Sequence, residues 1–212
     1  MDKTSSKARE FLHYELKSDM LSLGERERGT IFRPCIDVFT YTALAGALKA
    51  RFPHPDRKIH AVGHFRHFKK SILTLAPRDR GREVSSIPIQ AEYLYDVEAD
   101  VYVFQNDFTV KWPDEFTIHI GALKSKGLGH CNLRKIGTVP ANVESSYGVL
   151  NVRIPFNPEF KDEICDIFGI EEDSISPVYG YLFKPERGGT GHYVLSLFEG
   201  SKMKANQIII KS

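Results

Sequence analysis

Residues 116–134 read FTIHIGALKSKGLGHCNLR. Phe116, Ile118 and Ile120 alternate with Thr117, His119 and Gly121, the period of two expected of a strand with one buried face. Extended character resumes at His130-Cys131-Asn132-Leu133, so the intervening GALKSKGLG is expected to join two strands. Gly121, Gly127 and Gly129 permit positive φ, and successive outward N–H groups can form a concavity for an anion. Lys124 and Lys126 add two ammonium groups, and His130 and Arg134 follow on the second strand. That combination suits a phosphate backbone. It also describes an ordinary hairpin with solvated lysines, because a single short motif is weakly specific.

Working outward, charge is unevenly spread. Residues 1–140 hold 22 Lys+Arg against 17 Asp+Glu, whereas residues 141–212 hold 7 against 10. A basic front and an acidic back suggest one face for nucleic acid and another for protein. The most basic window runs from Arg57 to Arg82. It contains Arg66, Lys69, Lys70, Arg78, Arg80 and Arg82, with His60, His64, Phe65, His67 and Phe68 between them. Basic residues among aromatic and imidazole rings suit RNA, which is held by phosphate contacts and base stacking. The alternative is a charged edge strand that resists aggregation. Two strands, around Ile59–Phe68 and Ser71–Ala76, are expected to form a hairpin here. Arg26 and Arg28, in the charged loop Gly24–Thr30, are further phosphate candidates.

The first strand is expected over Glu10–Leu23. A helix follows, with Val38, Tyr41, Leu44, Ala45 and Leu48 on one face and Asp37 or Thr40 as its cap. Gly46 lies inside it, where glycine costs about 1 kcal/mol against alanine, and close packing on a sheet is the expected reason. Ile87–Tyr95 and Val101–Gln105 read as strands joined by an acidic turn, Asp96–Asp100. Trp112 reads as a packing anchor. Composition shifts at Gly137–Pro140. Beyond it come a strand over Tyr147–Phe156, a helix over Pro158–Phe168 started at Asn157-Pro158 and stopped by Gly169, and strands at Val178–Pro185, His192–Phe198 and Gln207–Ile210. Gly188-Gly-Thr-Gly191 reads as a hairpin tip.

GALKSKGLG with its flanking strands, and the helix Tyr41–Arg51 placed after a first strand and a loop, resemble the RAMP superfamily of CRISPR-associated proteins. The resemblance covers roughly residues 9–138 and finds nothing in 141–212. It implies an α+β fold: a ferredoxin-like (RRM-like) RAMP domain over 9–138 whose glycine-rich loop contacts guide RNA, with its second helix weak or lost. A smaller β-rich region covers 141–212. The implied partners are guide RNA (crRNA) and other CRISPR effector subunits. The implied role is that of the subunit gripping the 5′ handle of the guide and capping the backbone, with sequence specificity left to base pairing.

Two other functions fit the residues. Some relatives cut precursor guide RNA without metal, using a histidine, tyrosine or lysine as acid or base; His64, His67, Tyr41 and Lys70 are the candidates here. Processing members usually carry the glycine-rich loop near the chain's end, whereas about eighty residues follow it here, so no catalytic residue is assigned. A protein-interaction module with incidental basic loops is the third. No metal or cofactor is expected: His60, His64 and His67 lie on an extended segment where their side chains do not converge. Cys35, Cys131 and Cys165 form no Cys-x-x-Cys pair, which fits a reducing cytoplasm rather than a disulfide scaffold or zinc site. No apolar run approaches a membrane span, and the N-terminal MDKTSSKARE has no hydrophobic segment for a secretory signal.

Overall fold

The structure is a computed structural model that describes residues 9–24, 31–53, 58–76, 78–79, 81, 84–85, 87–105, 111–141, 145–185 and 190–211. The chain begins with strands β1 (Glu10–Leu21) and β2 (Phe32–Arg33) and helix α1 (Tyr41–Arg51). Strands β3 (Ala61–Leu75), β4 (Arg78–Asp79), β5 (Val84–Ser85), β6 (Ile89–Gln105), β7 (Glu115–His119) and β8 (His130–Pro140) follow. The remainder is β9 (Ser146–Leu150), β10 (Ile154–Pro155), helix α2 (Lys161–Phe168), β11 (Glu171–Ser176), β12 (Tyr179–Pro185), β13 (Gly191–Leu197), β14 (Lys202–Ala205) and β15 (Ile210–Lys211).

The largest sheet is built on β1, which pairs antiparallel with β6 on one side and β8 on the other. Outside β6 lies β3, and outside β8 lies β7, both antiparallel; β2 adds a short parallel pairing to β6. The period of two in β1 gives the sheet two apolar faces. Leu12, Tyr14 and Leu16 enter one cluster with Leu44 and Leu48 of α1. Phe11 points the other way, with Val62, Tyr102 and Phe104, into a second cluster built mainly by residues 150–210. Residues 141–212 thus cover one end of the second face. They form a three-stranded sheet (β10-β13-β12) and a four-stranded one (β11-β14-β9-β15).

The mixed α+β architecture agrees with the sequence, but several boundaries do not. The hairpin expected from Ile59–Phe68 and Ser71–Ala76 is instead one strand, β3, whose partner is β6 along almost its whole length. The expected acidic turn Asp96–Asp100 is likewise absorbed into a single strand, β6. Asp96 takes a left-handed conformation (φ 55°), while Glu98 and Asp100 stay in the strand because Lys17 and His13 of β1 supply cationic or hydrogen-bonding partners. Gly46 is exposed, and a Cβ there would meet nothing within 4 Å, so sheet packing does not explain it. Thr40 is the cap of α1, its Oγ1 accepting the Ala43 N–H at 3.2 Å. The second helix begins at Lys161 rather than Pro158, with the Asn157 carbonyl accepting N–H from Phe160 and Lys161; Gly169 stops it as expected (φ 59°). Residues 207–209 form a turn rather than a strand, and β11 and β14 were not anticipated. Among the described residues no α-helix stands between β6 and β8.

Candidate nucleic-acid interface

The loop between β7 and β8 is fastened to the end of β1. Ala122 N–H donates to the Ser22 carbonyl at 2.8 Å, and Gly129 N–H to the Met20 carbonyl at 2.7 Å. Close backbone approaches explain two of the three glycines. A Cβ on Gly121 (φ 82°) would lie 2.1 Å from the Ser22 oxygen, and one on Gly129 (φ 85°) 2.1 Å from the Ile120 oxygen. Between them Leu123 is left-handed (φ 57°) and Lys124–Lys126 make a 3₁₀ turn over the buried Leu128. Gly127 (φ 87°) ends that turn.

Part of the amide concavity expected from the glycines is closed by bonds inside the protein. The N–H groups of Ala122, Lys126, Gly127, Leu128 and Gly129 all donate within the protein. The loop also offers an anion the side chains of Lys124 and Lys126, both on exposed residues. Among the described residues neither has an acidic partner.

Register places the loop and the basic strand at the same end of the sheet. Gly129 is bonded to Met20, Met20 faces Tyr95, and Tyr95 faces Lys69. Lys69 and His67 both reach Asp96, at 2.7 and 3.4 Å, and the Asp96 carboxyl is held below its usual range chiefly by the Lys69 hydrogen bond. Lys70 donates to the Cys35 carbonyl at 3.1 Å. His130, on β8, stacks edge-on with His119 at 5.2 Å.

Nearer the sheet centre the cations are neutralised. Arg66 and Arg134 grip the two oxygens of Glu15 at 2.7 and 3.0 Å, and the Arg66 hydrogen bond is the largest influence lowering the Glu15 carboxyl's pKa. Asp100 Oδ1 accepts from His13 Nε2 at 2.8 Å, with His64 Nε2 at 3.7 Å from its other oxygen. Sequence reading missed Glu15, His13 and Asp100, because a pairing across β1, β3, β6 and β8 is invisible until the register is known. Arg78 lies in β4, and Arg26, Arg28, Arg80 and Arg82 lie outside the described residues.

The proposed acid–base residues have separate partners. Tyr41 is buried and its hydroxyl is hydrogen-bonded to His60 Nδ1 at 2.8 Å, with burial raising its pKa. His64 lies beside Asp100, His67 beside Asp96, and Lys70 on a carbonyl. Among the described residues no group of three or more His, Cys, Asp or Glu side chains is placed to hold a metal, and no helix is long and apolar enough to cross a membrane.

With this geometry in hand, the fold has counterparts. A chain in the cryo-EM structure of the Type III-B Cmr-beta bound to cognate target RNA and AMPPnP superposes with a TM-score of 0.61 at 9% identity, covering 91% of this chain and 86% of that one. A chain in the Type III-B Cmr-beta bound to cognate target RNA gives 0.58 at 11% identity, with the same coverage. These likenesses establish a shared fold. No family model and no curated protein matches the sequence.

Proposed function

We propose that the chain is an RNA-binding structural subunit of a CRISPR effector ribonucleoprotein, gripping the 5′ handle of the guide RNA with the β7–β8 loop and capping the backbone. In this reading the antiparallel order β8-β1-β6-β3 with α1 after β1 is a ferredoxin-like core, in which β7 stands where a second helix would be. The observation that carries it is the pair Lys124 and Lys126 on a loop fastened to β1. Their charge is not cancelled by a described neighbour, unlike that of Arg66 and Arg134. The fold shared with chains of RNA-bound Cmr-beta structures supports it. Guide RNA and neighbouring effector subunits are the partners, and the acidic residues 141–212 face protein over most of their surface.

The test is Lys124→Ala with Lys126→Ala, assayed for single-stranded RNA binding across a salt series. Each lost phosphate contact is expected to flatten the log–log slope by roughly 0.7. An unchanged slope in a folded variant removes the loop from the interface. Cleavage of guide-precursor RNA by the wild-type chain in EDTA would replace the structural role with a processing one.

A further inference from the structure

A cleft of about 540 Å³ opens between the outer side of α1, the β7–β8 loop and the edge strand β12. Its floor is small and apolar, with Ala43 and Gly46 of α1. Its far wall is aromatic. Phe183 and Tyr193 face each other across the β12–β13 pair, with ring centroids 5.5 Å apart in an edge-to-face arrangement. Tyr181 lies two residues along the same strand, and Tyr181 and Tyr193 remain 66% and 60% exposed. The near wall carries Lys124, and among the described residues no acidic side chain lines the space.

We propose that this cleft receives an unpaired base of single-stranded RNA, stacked on the Tyr181 and Tyr193 rings, with an adjoining phosphate on Lys124. This deepens the RNA-binding reading and rests on it. The size lies within the range of pockets for small organic groups, about 300–1,000 Å³. Every base has a π-face, so aromatic side chains beside a cation form a platform for single strands without sequence preference. Charge decides for a nucleotide over a basic peptide: among the described lining residues the only fully charged side chain is a lysine. The bareness of Gly46 then has a use, since it leaves open the floor that any side chain would fill. The β12–β13 hairpin is also an exception within the acidic half of the chain.

The probes are an eight-nucleotide single-stranded RNA and the same octamer made abasic, each titrated into the full-length chain. Gly46→Leu fills the cleft from a helix position with free space, and Tyr181→Ala with Tyr193→Ala removes the platform. Both are expected to weaken binding of the base-bearing octamer about tenfold and to leave the abasic one unchanged, while Tyr181→Phe with Tyr193→Phe binds like wild type. Lys124→Ala with Lys126→Ala weakens both octamers. Wild-type octamer binding by the Gly46→Leu and tyrosine-to-alanine variants overturns the cleft. If the lysine variant still loses affinity in that case, the loop reading stands alone; if it does not, both fall. A loss confined to association with another protein subunit, with RNA binding intact, also overturns it.

Discussion

Gly127 and Gly129 have nearly the same left-handed φ, yet they answer to different constraints. At Gly127 a Cβ meets open space, so alanine pays only the left-handed penalty of roughly 1–2 kcal/mol. At Gly129 it also meets the Ile120 carbonyl at 2.1 Å. Urea unfolding is expected to show Gly129→Ala clearly less stable than Gly127→Ala, with equal losses contradicting the close approach to Ile120. The residue types here were legible in the sequence; the reason for them was not, because the close approach is to the chain's own backbone rather than to an anion. His60 makes a second residue-scale case. Burial, only partly offset by the Glu163 carboxylate at 3.3 Å, lowers its pKa. The folded state therefore binds a proton less readily than the unfolded chain, whose imidazole titrates near 6.5. The stability tied to neutral His60 is present above that value and is lost as pH falls through it. The urea midpoint is expected to drop between about pH 7.5 and 5.5, and His60→Asn to make that drop shallower; an unchanged slope removes His60 as its source.

At the scale of elements, the start of α1 is held by a segment distant in sequence. Tyr41 N–H donates to the Arg153 carbonyl at 2.8 Å and Arg153 N–H to the Phe39 carbonyl at 3.1 Å. The Arg153 side chain is buried between Glu199, at 2.7 and 2.8 Å, and the Phe198 ring, 4.1 Å from its guanidinium carbon. Glu199→Ala removes both of these charge-assisted hydrogen bonds. Because Glu199 itself is 36% exposed, water takes up part of the loss, and about 2 kcal/mol is the expected cost by chemical unfolding. A neutral result would show Arg153 satisfied by other groups. Helix α1, the β7–β8 hairpin and the β12–β13 hairpin were readable because each carries its own periodicity and stop signals. Strands β3 and β6 were each cut in two, since Gly, basic pairs and acidic runs resemble turns until a partner strand neutralises them.

Over the whole molecule, the two halves marked by the composition shift share an apolar cluster. Phe168 of α2 is fully buried and stacks on Phe11 of β1 at 5.8 Å. Trp112, the chain's only tryptophan, packs far from that contact in sequence, against Phe52 at 5.1 Å. Phe168→Ala is expected to cost about 3–5 kcal/mol and to shift the unfolding midpoint seen by Trp112 fluorescence. An unmoved tryptophan transition would mean that residues 9–138 and 141–212 unfold independently. The central position of β1 has a consequence during synthesis. His13 faces Tyr102 on one side and Gly137 on the other, so β1 is flanked by partners translated much later. At roughly 5–20 residues per second, β8 leaves the ribosome about 6–25 s after β1. Throughout that interval a strand that comes to bury Phe11, Leu12, Tyr14, Leu16 and Leu21 has a backbone edge with no native strand to receive it. The nascent protein is therefore most exposed to wrong partners before the glycine-rich loop has even been made.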